Sequence, residues 1–158
     1  MKSQTSHTQD MPPAEASEIR ALYHRLLECW NKRNADDYAT LFVEDGNVVG
    51  FDGSQVNGRT EIAAHLRQIF ADHQTSAYIG KIREVRFLSS EVSLLGAVCG
   101  MVPPGKSELD PAVNTIQTLI AVRAAGNWRI ALFQNTPAQF HGRPELAQAL
   151  TEELRQLL

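Results

Sequence analysis

The 158-residue chain is poor in cysteine, with two, and in aromatics, which make up 7%, and neither sign of charge dominates. Fifteen Lys and Arg stand against eighteen Asp and Glu, a formal net charge of −3. That balance lacks the electrostatic footprint of a nucleic-acid or anionic-membrane binder, so neither is expected as a partner. No apolar run approaches the ~18 residues that a membrane helix needs. There is no CxxC pair. Cys29 and Cys99 each sit in an apolar segment and read as buried free thiols, which points to the cytoplasm. No HxxxH or HxxH spacing occurs and no Gly-x-Gly-x-x-Gly, so neither a metal nor a dinucleotide cofactor is expected. What remains, 43% apolar and 21% charged, is the usage of one globular domain.

Residues 1–13 are polar and lack the apolar core of a secretory signal, so they read as a disordered lead-in. Ile19, Leu22, Tyr23, Leu26, Leu27 and Trp30 then repeat at helical spacing, predicting a helix from about Ala14 to Lys32. Asn34, three residues before Asp37, is an N-cap candidate for a short second helix striped by Tyr38, Leu41 and Phe42. Asp45-Gly46 would end that helix, and Val48–Phe51 would be a short strand closed by Asp52-Gly53. A third helix follows Asn57-Gly58, with Ile62, Leu66, Ile69 and Phe70 on one face.

From Tyr78 onward the apolar residues are β-branched or aromatic and the breakers come at strand spacing. Strands are expected near Tyr78–Leu88, Val92–Val102, Val113–Ala124 and Trp128–Thr136. The short links at Ser89-Ser90 and Ala125-Gly126-Asn127 make those neighbours antiparallel hairpins. Val92–Val102 is apolar on both faces, so the sheet should be covered on both, by helices on one side and by a second copy of the chain on the other. Gly96 and Gly100 share a face, as expected at a sharp curl or a bulge. Residues 142–158 read as a helical extension with Leu146, Leu150, Leu154 and Leu157 in a narrow stripe that must dock on something. Residues 14–141 form the domain proper.

Four segments carry a family resemblance: Trp30-Asn31, Leu41 to Asp45, Gly58-Arg59, and Trp128-Arg129-Ile130 leading into Gln134-Asn135-Thr136. With this element order the chain resembles the SgcJ/EcaC family of the nuclear-transport-factor-2-like superfamily. The resemblance implies an α+β fold, a cone-shaped half-barrel whose three helices pack on a strongly curved, mostly antiparallel sheet around a pocket. It also implies an accessory role in polyketide-type metabolism, while the homodimer rests on the doubly apolar sheet. Folds carry many functions, so activity must be argued from the site. Aligned without a gap on Asn31 to Gly46, the general base of the related ketosteroid isomerases falls on Gly50 and their helix-borne tyrosine donor on Leu26. Steroid isomerisation by that machinery is therefore not expected.

Asp52, two residues after Gly50, is the nearest substitute base if the strand runs that far; burial would then raise its pKa. The other reading is an Asp-Gly turn with the carboxylate in solvent. His65, at the edge of the third helix's stripe, is either a pocket acid–base group or a boundary residue. Gln117, Gln134 and Asn135 are polar residues inside apolar strands, available to fix a ligand's carbonyl or hydroxyl or to tie strands together. Alternation puts one of Gln134 and Asn135 inward and the other outward. Trp30, Tyr38, Phe42, Tyr78 and Phe140 are candidate lining, or plain core. Three functions stay open: binding of a small apolar molecule, acid–base catalysis by Asp52 or His65, and assembly around a vestigial pocket.

Overall fold

Helix α1, Pro13–Asn31, opens the computed structural model, which describes residues 13–158. Apart from Pro13, the lead-in at residues 1–13 lies outside the described residues. The periodic face of α1 is buried at Ile19, Leu22, Tyr23, Leu26 and Leu27, as its spacing predicts. Its first turn is pinned to the sheet by Glu15, whose Oε1 accepts hydrogen bonds from Trp128 Nε1 and Arg123 Nη2. Asn34 caps α2, Ala35–Thr40, by accepting from the Asp37 N–H. Gly58 opens α3, Arg59–Asp72.

Six strands form one sheet: β1 Phe42–Val49, β2 Gln55–Asn57, β3 Ala77–Ser89, β4 Val92–Val102, β5 Thr115–Ala124 and β6 Asn127–Pro137. Their order is β2-β1-β6-β5-β4-β3, antiparallel except for β1 against β6. The inner faces of β4, β5 and β6 meet the helices in one core through Leu95, Ala97, Leu119, Ala121, Ile130 and Phe133. The result is an α+β cone with a curved, mostly antiparallel sheet. No helix among the described residues is long and apolar enough to cross a membrane.

One expectation is corrected and a second narrowed. Leu41 and Phe42 do not continue α2. The chain turns at Leu41, and Phe42 begins β1, which absorbs Asp45-Gly46 at an irregular register. Tyr38, Leu41 and Phe42 do fit a helical spacing. Tertiary partners override it by taking the carbonyls a longer helix would use: Arg129 Nη1 donates to Thr40 O, Ile130 N to Leu41 O, and Arg59 to Phe42 O. The second is narrowed in extent: part of the sheet's outer face is covered from within the chain. Helix α4, Pro144–Arg155, covers the Val98 end of it from within the same chain. Leu150 and Leu154 are buried there with Leu109, whereas Leu146 and Leu157 of the expected stripe stay exposed. Glu153 on α4 pairs with Lys81 and, through two hydrogen bonds, with Arg83 of β3.

The two glycines of β4 serve different ends. Gly96 faces the irregularity between Ile82 and Glu84 of β3, which is the bulge expected of it. Gly100 lets α4 lie close: a Cβ there would stand 2.7 Å from Leu109 Cδ2 and 3.2 Å from Leu154 Cδ1. Gly100→Ala should therefore lower stability by about 1–3 kcal/mol in urea unfolding, the usual cost of overpacking. An unchanged or raised midpoint would contradict so close a seat.

Candidate functional site

Between the helices and the concave face of the sheet lies a cavity of about 310 Å³. Its helical walls are Trp30 of α1, Tyr38 of α2, and Ile62, His65, Leu66 and Ile69 of α3. Val48 of β1, Tyr78 of β3 and Phe133 and Asn135 of β6 form the sheet wall. Val56 of β2 and the Gly50–Ser54 turn complete the lining.

The aromatic wall is locked from behind. Tyr78 stacks on Trp30 at 4.8 Å between ring centroids, Phe70 meets Trp30 edge-on at 5.3 Å, and Tyr38 stacks on Phe42 at 5.7 Å. Asn31 holds the start of β3 like a neighbouring strand: its Oδ1 accepts from Tyr78 N at 2.8 Å and its Nδ2 donates to Tyr78 O. Trp30 Nε1 donates to Ser76 O at 2.9 Å. The end of α1 thus fixes where the Tyr78 ring enters the cavity.

A polar relay runs behind the sheet wall. Tyr23 Oη donates to Gln117 Oε1 at 2.6 Å, Gln117 Nε2 to Asn135 Oδ1 at 2.9 Å, and Asn135 Nδ2 to Val49 O at 3.0 Å. The direction follows from the last link. A backbone carbonyl can only accept, so Asn135 must turn its NH2 to Val49 and its oxygen to Gln117, and the same logic passes back to Tyr23. Gln117 is fully buried and Asn135 nearly so, and the relay gives each amide a partner at its oxygen and one at its nitrogen. The Cys99 thiol lies against this chain, and burial pushes it up to about 12, so it stays an unreactive thiol.

Trp30, Tyr38, Tyr78, Asn135, Asp52 and His65 come together around the cavity. Four other candidates lie outside its lining. Phe42 is core behind Tyr38, and Gln117 sits beneath Asn135. Gln134 is exposed on the outer face, since Asn135 takes the inward position. Phe140 packs with the α4 cluster instead. Sequence reasoning missed Val48, Val56 and Phe133. Parity with Asn135 on β6 marks Phe133 as inward, but only a known register brings Val48 beside it. Ile62, Leu66 and Ile69 stand in the apolar stripe of α3, a signal that marks a buried face but not a cavity.

Asp52 takes the turn geometry. Its Oδ1 accepts from Ser54 N at 3.0 Å, while Gly50 N donates to Ser54 O and Gly53 N to Gly50 O. The carboxylate is exposed, and the hydrogen bonds from Ser54, the backbone N–H foremost, hold its pKa below the usual value, with His65 adding a smaller Coulombic share. Of the two readings of Asp52, the turn is the one the geometry follows; the strand ends at Val49, so the burial that would raise the pKa does not arise. His65 is likewise exposed, at the rim of the cavity. Among the described residues no three His, Cys, Asp or Glu side chains gather as a metal would require.

Comparison with known proteins bears on this architecture. A family model of the SnoaL-like domain matches residues 14–134. The chain belongs to the SnoaL-like domain family. No curated protein matches it. Among solved structures, a domain of unknown function with a cystatin-like fold from Nostoc punctiforme is similar to this SnoaL-like chain at 25% identity. That match covers 88% of this chain and 86% of the other, with a TM-score of 0.78. An NTF-2 like protein of unknown function from Shewanella oneidensis is 18% identical over 77% of this chain and 98% of its own, TM-score 0.64. A ketosteroid isomerase-like protein from Erwinia carotovora atroseptica is 16% identical over 81% and 99%, TM-score 0.64. These likenesses establish the nuclear-transport-factor-2-like, or cystatin-like, fold of this SnoaL-like domain.

A depressed folded-state pKa contributes stability above the unfolded-state value, and that contribution is lost as pH falls through the folded one. The Asp52 carboxyl should accordingly titrate below 3.8 in a carbon-detected NMR titration and be fully ionised at neutral pH. A midpoint above 3.8 would restore it as a candidate base.

Proposed function

We propose that this SnoaL-like domain binds a small, mainly apolar molecule in its cone cavity. The observation that carries the reading is the cavity itself: about 310 Å³ of space walled by aromatic and aliphatic side chains, with the Asn135 amide as a convergent polar group. Burying an apolar molecule there gains on the order of 25 cal/mol per Å² removed from water. Acid–base catalysis is the weaker alternative. Asp52 and His65 stand at one rim, but Asp52 is exposed and tied to Ser54, which makes its carboxylate a poor base.

Three finer readings belong to the same proposal. Trp128-Arg129-Ile130 and Gln134-Asn135-Thr136 support membership of the SgcJ/EcaC type, a bacterial group, with an accessory role in polyketide-type metabolism. The buried thiols Cys29 and Cys99 support a cytoplasmic setting. A homodimer is supported by the outer face of the sheet, where Leu94, Ile120 and Leu132 stand side by side on β4, β5 and β6, half-buried and beyond the reach of α4. A second copy presenting the same uncharged row would cover it.

Native mass spectrometry of the purified chain reads occupancy and assembly together. The expected spectrum is a dimer that takes up tetralin, one molecule per subunit, and loses that uptake when Leu66→Trp fills the cavity. A wild-type chain that takes up no tetralin would overturn the binding reading, and a monomer mass would overturn the dimer.

A further inference from the structure

Two hydroxyls in the cavity wall, those of Tyr38 and Tyr78, have no hydrogen-bond partner among the described residues, although Tyr38 is only 5% exposed. A buried phenol normally finds a partner, because an unpaired hydroxyl costs about 1–3 kcal/mol. Sealed-in orphans are rare here: the one such side-chain atom among the described residues is Asn114 Oδ1, under α4. Neither phenol oxygen is therefore sealed in, and the space that both residues line is the cavity.

Their setting suits a purpose. The two rings enter from different walls, each held by stacking, Tyr38 on Phe42 and Tyr78 on Trp30. They are close enough that the Tyr78 phenol adds to the upward shift that burial imposes on Tyr38, so both stay protonated and able to donate. Asn135, across the cavity, has one N–H committed to Val49 O and its oxygen committed to Gln117, leaving its second N–H. Each polar side chain of the deep wall thus has a hydrogen left to donate to an acceptor. The acceptor carries no charge. Among the described residues no Lys or Arg lines the cavity to pair with an anion, and the ionised Asp52 at the rim repels one.

We infer that the ligand is an apolar molecule bearing one neutral carbonyl oxygen, and that the Tyr38 and Tyr78 hydroxyls receive it. This rests on the cavity-binding reading and names the chemical class that reading leaves open. Both tyrosines are specificity determinants: without the carbonyl, binding leaves their hydroxyls dry and unpaired, and with it they fix the ligand's orientation.

The test compares 1-tetralone, which carries the carbonyl, with tetralin, which does not, by calorimetry on the full chain. The wild type, Tyr38→Phe, Tyr78→Phe and the double variant are used, since phenylalanine keeps the stacked rings and the packing. Each substitution should weaken 1-tetralone about five- to tenfold, the worth of one hydrogen bond, and leave tetralin unchanged or tighter. The infrared carbonyl stretch of bound 1-tetralone should be lowered by donation in the wild type and rise again in the double variant, which a merely structural role would not produce. Equal effects on both probes, or none on either, would overturn the inference while leaving cavity binding intact. Tighter binding of 1-naphthoate than of 1-tetralone would overturn the neutral acceptor. If neither tetralin nor 1-tetralone binds the wild type, the cavity reading itself fails and this one with it.

Discussion

One backbone carbonyl, Val49 O, sets the chemistry of the cavity. It can only accept, so it orients Asn135, which orients Gln117, which draws the proton of Tyr23. The relay joins α1 to β5, β6 and β1 through the middle of an otherwise apolar core. Left unpaired, each amide would be costly at such burial; tied together, they stiffen the wall that faces the cavity. Because the chain ends on a carbonyl, its donors point one way. Asn135 is left presenting an N–H rather than an oxygen to whatever enters.

Close approach is what allows the relay to form. Tyr23 reaches Gln117 by passing over Gly80 of β3, where a Cβ would lie 2.2 Å from the phenol oxygen. Two residues before Gly80 on β3, Tyr78 lines the cavity with no hydrogen-bond partner for its phenol among the described residues. Where α1 meets the sheet, one phenol serves structure; at its C-terminal end, Asn31 and Trp30 set another phenol free to face the cavity. Packing, not charge, keeps that space open: the rings that line it are held from behind, so they cannot collapse inward without losing their own stacking partners.

Much of this was legible from periodicity, and the rest required register. The faces of α1 and α3, the strand Val92–Val102 and the cap at Asn34 follow from local spacing, which reports directly on local structure. The start of β1 was not legible, because Tyr38, Leu41 and Phe42 fit a helix as well as they fit a helix followed by a strand. Arg129 and Ile130, some ninety positions later, decide it. Alternation restricted Gln134 and Asn135 to opposite faces, yet only the pairing of β6 with β5 shows that Asn135 sits opposite buried Gln117. Phe140 looked like lining because it is aromatic and near the site in sequence; its place against α4 is a tertiary fact. Asp52 was resolved by the chemistry of a tight turn, since a carboxylate that can take the Ser54 N–H has no reason to enter an apolar cavity.

The side-chain amide protons of Gln117 and Asn135 report directly on whether the relay is tied through Val49 and Tyr23. In an NMR exchange experiment on the ligand-free chain, the Gln117 NH2 and the Val49-bound N–H of Asn135 should exchange with solvent far more slowly than a free primary amide. The second N–H of Asn135, open to the cavity, should exchange faster than its geminal partner. Exchange of all four protons at free-amide rates would mean that the amides are not locked to Val49 and Tyr23. The directed polar wall on which the cavity's chemistry rests would then be absent.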